Sequence, residues 1–305
     1  MKQPYNDLSL LEFQDRFSTE KACRDHLISM RWPEGFICEC GSKEHCYSPN
    51  REEFHCYRCD GVTSPTAGTL FHRSKVPLRK WFWAIFLVAT SKKGVPALYL
   101  KRELKLNDRT AWSMLRKMRL SMANRNTHWK LKGSIQADEI FIGGKQTHDE
   151  RRKNPNKTTF FIAVEEDKSG NPKFLAAQQI ESAYDDDSVR PAIDQLIPEN
   201  SILKTDGKRI YRQAAQDKNC VHEYVVAMSD PELAHAHLNW VNRVTSNLKR
   251  WLISTHHGVF PKYRKEYVAE FVYRFNRRFW PDQIFDRLLF ANMIMAPSPL
   301  WGSCV

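Results

Sequence analysis

Ser134-Ile135-Gln136-Ala137-Asp138-Glu139-Ile140-Phe141-Ile142-Gly143-Gly144 is the stretch on which the reading of this 305-residue chain turns. Isoleucine and phenylalanine fill a pleated strand well, and the paired glycines end it. Asp138 sits in the middle of that strand. A carboxylate among Ile and Phe is expensive to bury unless it has a partner or a task. Side chains alternate along a strand, so Glu139 points to the opposite face from Asp138.

Working outward toward the C-terminus, Thr158 to Val164 and Lys173 to Ile180 read as two further strands, which makes an antiparallel meander. Asp187 to Leu196 has helical spacing, and Ser201-Ile202-Leu203-Lys204-Thr205-Asp206 is a fourth strand. Tyr224 to Met228 is expected to form a short fifth, followed by helices over His237 to Ile253 and Pro261 to Arg277. Three antiparallel strands, a helix, a strand and then helices is the order of a ribonuclease-H-like α/β domain with a mixed five-stranded sheet. In that fold the first and fourth strands are neighbours. Asp138 and Asp206, 68 positions apart, then share one site. Two divalent ions take oxygen ligands, and a carboxylate shared between them is the usual bridge. The helix expected from His237 holds no acid up to Phe260, but Asn242 can offer an amide oxygen. Lys249 falls on the same face as Asn242, and Arg250 follows it; both suit a DNA phosphate.

Working outward toward the N-terminus, charge is segregated. Between Arg73 and Lys132 there are 16 basic residues against two acids, Glu103 and Asp108, although the whole chain carries only +12. Such a concentration favours a polyanion, because each phosphate contact releases counterions. The same region reads as a helix from Leu78 to Thr90, a break at Gly94-Val95-Pro96 and a short helix from Ala97 to Glu103. A turn at Leu106-Asn107-Asp108 leads to a basic helix from Arg109 to Met122. That is a helix-turn-helix outline, with Arg109, Arg116, Lys117 and Arg119 as candidate DNA contacts. Core packing is the expected role of Trp112 and Trp129.

Eight cysteines are present, and Cys38, Cys40, Cys56 and Cys59 fall within 22 residues. Close pairs in a core-poor stretch read as a zinc ribbon, in which four thiolates hold one structural Zn²⁺. The first pair, Cys38-x-Cys40, is one residue tighter than the common spacing, so Cys46 is an alternative ligand. Before the ribbon, Leu10, Leu11, Phe13 and Phe17 and then Ala22, Leu27 and Ile28 recur at helical spacing. The longest apolar run, Trp81 to Ala89, is nine residues, too short to span a bilayer. Met1 to Asp7 holds no signal-peptide core.

The expected plan is α+β and multidomain. Its parts are a helical segment (1–31), the zinc ribbon (32–72), a basic helix-turn-helix region (73–130), the catalytic domain (131–280) and a C-terminal tail (281–305).

Taken together, these residues resemble the insertion-sequence transposases that carry an N-terminal zinc ribbon and a DDE-type domain with Asn or Glu in third place (ISXO-type). The resemblance runs from about Phe13 to Arg278. Its first pieces are Arg31-Trp32-Pro33-Glu34-Gly35-Phe36, Ala67-Gly68-Thr69-Leu70-Phe71, Pro77-Leu78-Arg79-Lys80-Trp81-Phe82 and Ala111-Trp112. Ala137 to Gly144, Thr205-Asp206-Gly207, His237-Leu238-Asn239, Leu248-Lys249-Arg250 and Glu270 to Arg278 complete it. The resemblance implies Asp138, Asp206 and Asn242 as Mg²⁺ or Mn²⁺ ligands, with Lys249 as an accessory residue. It also implies strand cleavage and transfer at terminal inverted repeats, and a homo-oligomer acting on element and target DNA in the bacterial cytoplasm, associated with the nucleoid. The sequence departs from the family pattern at Cys38-x-Cys40, and at Asn242, where many relatives carry Glu. The alternative is a catalytically inactive, transposase-derived DNA-binding regulator.

Overall fold

A computed structural model describes residues 8–143, 157–226 and 230–295. They form two compact units, one of residues up to 122 together with 280 onward, the other of residues 123–279.

The first unit begins with helices α1 (Leu10–Arg16) and α2 (Glu20–Arg31), capped by the side chains of Ser9 and Thr19. A three-stranded sheet follows, of β1 (His45–Ser48), β2 (Glu53–Cys56) and β3 (Val62–Thr63), with β2 central and both pairings antiparallel. Its apolar core is small: Phe36 stacks on Phe54 at 4.4 Å beside Cys38 and Cys56, with Trp32 and Tyr47 at the margin.

Helices α3 (Leu78–Thr90), α4 (Ala97–Leu104) and α5 (Asp108–Asn126) complete the N-terminal run. Pro77 cannot cap α3, and the Glu20 carboxylate does so instead, accepting from the Leu78 and Arg79 N–H groups at 2.9 and 3.0 Å. Lys105, in the left-handed conformation, ends α4. Asn107 accepts from the Thr110 N–H at 2.7 Å to start α5. The segment 281–305, expected as a tail, instead contains α11 (Ile284–Met293), whose Phe285, Leu288 and Leu289 are buried. Phe13, Phe17, Phe82, Phe86 and Phe285 meet ring to ring at 4.2–5.9 Å, so this C-terminal helix is part of the first unit's core.

The second unit is built on a five-stranded sheet, order β6-β5-β4-β7-β8. Its strands are β4 (Ser134–Ile142), β5 (Thr158–Glu166), β6 (Pro172–Ile180), β7 (Ile202–Thr205) and β8 (Val221–Tyr224). The β4–β5 and β5–β6 pairings are antiparallel, and the β4–β7 and β7–β8 pairings are parallel. This is the mixed, ribonuclease-H-like sheet expected from the order of elements. The fifth strand lies earlier than expected: Tyr224 is its last residue, and 227–229 fall outside the described residues, as does Gly144.

Helices α6 (Asp186–Leu196) and α7 (Arg209–Asp217) flank β7 in the chain. Then come α8 (Pro231–His237), α9 (Asn239–His256) and α10 (Arg264–Arg277). Val241, Val244, Leu248 and Leu252 of α9 and Val268 and Val272 of α10 are buried against Ile140, Ile142, Phe160, Ile162, Val164 and Leu175. That apolar stripe fixes which face of the sheet α9 covers, the face of Ile140 and Ile142. No described helix is long and apolar enough to cross a membrane.

Candidate active site

Gln136 and Lys204 stand opposite each other on the parallel neighbours β4 and β7. Continuing that register by two residues brings Asp206, the first residue past β7, level with Asp138. Neighbouring strands lie about 5 Å apart, and both aspartates keep the face of their strand-mates Gln136 and Lys204. That register places the two carboxylates side by side at one end of the sheet.

Asp138 is poor in partners. Its Oδ1 accepts the Glu139 backbone N–H at 2.8 Å. Burial pushes its carboxyl up to about 7; the charges of Glu139 and Asp206 add to the rise, and the Lys208 ammonium opposes it. Asp206 accepts the Lys208 N–H at 3.2 Å, and the Lys208 Nζ lies 3.4 Å from its Oδ2. The turn after Asp206 depends on Gly207, whose φ is +80° and whose Cβ, if present, would meet the Tyr224 ring at 2.5 Å. Only glycine fits there.

Glu139 points to the opposite face, where its buried carboxylate accepts from the Tyr211 hydroxyl and the Lys208 ammonium of the following element. Burial alone would lower the Lys208 ammonium, but Glu139 and Asp206 outweigh it and hold it above its ordinary value. Tyr211 is raised well above its ordinary value by burial and then by Glu139. Lys208 therefore ties the loop carrying Asp206 to the strand carrying Asp138.

Asn242 lies on α9, half-buried, with no side-chain hydrogen bond among the described residues. Lys249 and Arg250 follow on the exposed side of that helix. His237 approaches the Glu223 carbonyl at 3.2 Å. The residues present fit a divalent cation. A buried, under-partnered carboxylate, a second carboxylate level with it and an amide oxygen without a partner are hard oxygen donors, with the Lys208 ammonium beside the carboxylates.

The cysteine cluster has its own geometry. The sulfurs of Cys38, Cys40, Cys56 and Cys59 all lie within 4.8 Å of one another. The Cys38–Cys59 and Cys40–Cys56 separations are both 3.6 Å. Zn–S bonds of ~2.3 Å in a tetrahedron put sulfurs about 3.8 Å apart, so the four thiolates fit one Zn²⁺ with no open position. Cys46 is outside the cluster, in β1 opposite His55.

On α5, Arg109 is exposed, while Lys117 is half-buried, as is Arg116, whose guanidinium lies 5.5 Å from the Trp112 ring. Arg119 departs from the sequence reading: it is 2% exposed, too little to offer its guanidinium to a phosphate. Trp129, expected to pack, stands 4.4 Å from Phe174.

Sequence reasoning passed over Gln136, Glu166 and Lys204, which form a buried polar layer one step behind the aspartates. Period-two alternation from Asp138 would have found Gln136, because both share a face.

Comparison with known proteins agrees with this layout. A transposase zinc-ribbon domain matches residues 18–61, and an ISXO2-like transposase domain matches residues 130–276. An uncharacterized protein in transposable element ISH50 of Halobacterium salinarum is 25% identical over 276 residues, covering 85% of this chain and 91% of the relative. A solved Mos1 transposase paired-end complex with left transposon end aligns over 71% of this chain and 80% of its own, at 10% identity. Its TM-score of 0.24 is too low to argue from. With both domains matched in order on one chain, the protein belongs to the insertion-sequence transposases built from a zinc ribbon and an ISXO2-like transposase domain.

Proposed function

We propose that this chain cuts and joins DNA strands at the terminal inverted repeats of an insertion sequence, with Asp138, Asp206 and Asn242 as ligands of two Mg²⁺ or Mn²⁺ ions. What supports this most is the parallel register of β4 and β7, which when continued brings Asp206 level with Asp138 on the face that α9, carrying Asn242, covers. Divalent ions, when bound there, supply charge that activates water or a DNA 3′-hydroxyl and steadies the leaving oxygen of an in-line displacement at phosphorus.

The chain's own residues have separable tasks. Asp138 and Asp206 give the negative charge, and Asn242 contributes a neutral oxygen, so metal affinity is lower than with Glu in its place. Lys249 and Arg250, about two turns further along α9 and exposed, hold the phosphates flanking the scissile bond. Arg109, Arg116 and Lys117 of α5 contact the element end, with α4 and α5 as the two helices of a helix-turn-helix. The ribbon zinc is structural. Paired processing of two ends calls for more than one copy of the chain.

The test is a joining reaction. A labelled duplex carrying the element's own end is incubated with supercoiled plasmid and Mg²⁺ or Mn²⁺. Label transferred covalently to the plasmid is expected. Cutting with no transfer under either metal would make the protein a nuclease and refute the joining half of the proposal.

A further inference from the structure

Helix α9 begins without a cap of its own. Leu238 stands at its N-cap position and offers no side-chain acceptor. Yet the start of α9 is tied down from another element. The Gln136 Oε1 accepts from the N–H groups of Trp240 and Val241, at 2.9 and 3.2 Å. These are the second and third residues of the helix, the donors that an N-cap side chain normally satisfies.

The other end of the same amide is equally occupied. Its Nε2 donates to the Glu166 Oε1 at 2.7 Å and to the Asn239 Oδ1 at 3.0 Å. Glu166 in turn accepts from the Ser134 hydroxyl at 2.6 Å and the Lys204 ammonium at 2.8 Å. Gln136 is 1% exposed. A buried, fully satisfied amide joins β4, β5, β7 and α9 at one point.

The location gives this network its meaning. Gln136 lies two residues before Asp138 on the same face of β4, and Lys204 lies two before Asp206 on β7. Val241, whose N–H is held, is the residue immediately before Asn242. The three candidate ligands are therefore each one or two residues from a member of the network. The apolar stripe of α9 sets its distance from the sheet through contacts that carry no direction of their own. The pair of directed hydrogen bonds to the helix start adds a fixed height and rotation.

We propose that Gln136 is a positioning residue for the metal site, fixing the height and rotation of α9 so that Asn242 meets the ions held by Asp138 and Asp206. This rests on the assignment of those three residues as ligands. Partners that orient metal ligands affect affinity by about 10–100-fold.

The test uses full-length protein with its ribbon zinc retained, titrated with Mn²⁺ alone, with the free ion read by electron paramagnetic resonance. Gln136→Met keeps the side-chain length and removes every hydrogen bond; Mn²⁺ affinity should fall by roughly tenfold or more, with zinc content unchanged. Leu248→Ala loosens the same helix about two turns on without touching the network. It should lower the melting temperature yet leave Mn²⁺ affinity within about threefold. Asn239→Ala removes one bond at the helix start and should weaken Mn²⁺ by a few-fold; it carries the test if Gln136→Met does not fold. Wild-type affinity in Gln136→Met, or in Asn239→Ala where it stands in, overturns the proposal. So does an equal loss in Leu248→Ala, which would make Gln136 merely structural. Asp138→Asn separates the underlying assignment: if it binds Mn²⁺ like the wild type, the ligand set falls and the inference with it.

Discussion

Replacing Glu166 by Gln removes one negative charge and keeps the shape, which makes the polar layer behind the aspartates measurable. The wild-type carboxylate, 6% exposed in its side chain, receives Ser134, Gln136 and Lys204 at 2.6–2.8 Å. Burial alone would raise its carboxyl; Lys204, Ser134 and Gln136 outweigh that and hold it below the usual carboxylate range. The substituted amide would present one acceptor and one amino group to three donors, leaving Lys204 with no counter-charge. Lys204 keeps a quarter of its side chain in water, so the full cost of a stranded buried charge does not apply. A loss of about 2–4 kcal/mol follows from one charge-assisted bond and one displaced neutral bond. In a unit of this size that lowers the melting temperature by roughly 5–15 °C. The sign with pH is fixed. A carboxyl held low in the folded state stabilises above its unfolded value of about 4, and that contribution disappears as pH falls through the lower folded value. The gap between wild type and Glu166→Gln should be full at neutral pH and should shrink below about pH 4. Thermal melts followed by circular dichroism across that range are the assay. Melting within about 2 °C of wild type at neutral pH, or a gap independent of pH, would refute the reasoning.

Gly207→Ala should destabilise the second unit and weaken Mn²⁺ binding, because the turn after Asp206 needs φ of +80° and the Cβ would strike Tyr224. A loss of about 1–3 kcal/mol is expected in a denaturant titration. Chelation of zinc should unfold the ribbon alone, since its strands of four, four and two residues enclose only a small core around Phe36 and Phe54. Amide dispersion in the ribbon should collapse while the five-stranded sheet's signals persist. Glu20→Ala should cost about 1 kcal/mol in the first unit by uncapping α3, read as a shift in its denaturation midpoint.

What the sequence made legible follows from where burial is one-sided. β4 runs from Ser134 to Ile142 as its alternation predicts, and α3 from Leu78 to Thr90 as its apolar spacing predicts. β8 was misplaced because it is an edge strand, largely exposed, and its sequence carries no inside-outside pattern. The nine-residue α7 went unseen for want of a capping side chain at Lys208. The helix expected from His237 to Ile253 is α9, Asn239–His256, whereas the short α8 before it went unread; the two part at Leu238, whose φ of −109° and ψ of 33° break the helix. α11 was invisible as core because its partners, Phe13 and Phe17, lie some 270 residues away.

The candidate site was legible only in its carboxylates. Asp138 stood out as a carboxylate in an apolar strand, and the order of elements put Asp206 beside it. Arg119 was misjudged because a basic helix gives no hint of which cations turn inward. Alternation puts Gln136 on the face of Asp138, but its task comes from α9, which reaches it from 104 positions along the chain.

The most direct measurement is strand cleavage of a duplex bearing the element's own end, with Mg²⁺ or Mn²⁺. It compares the wild type with Asp138→Ala, Asp206→Ala and Asn242→Ala. The account predicts cutting at the element end by the wild type, no cutting by either aspartate variant, and strongly reduced cutting by Asn242→Ala, all with end binding intact. Specific binding of the end with no cutting by the wild type under either metal would contradict it, and would leave a DNA-binding regulator in its place.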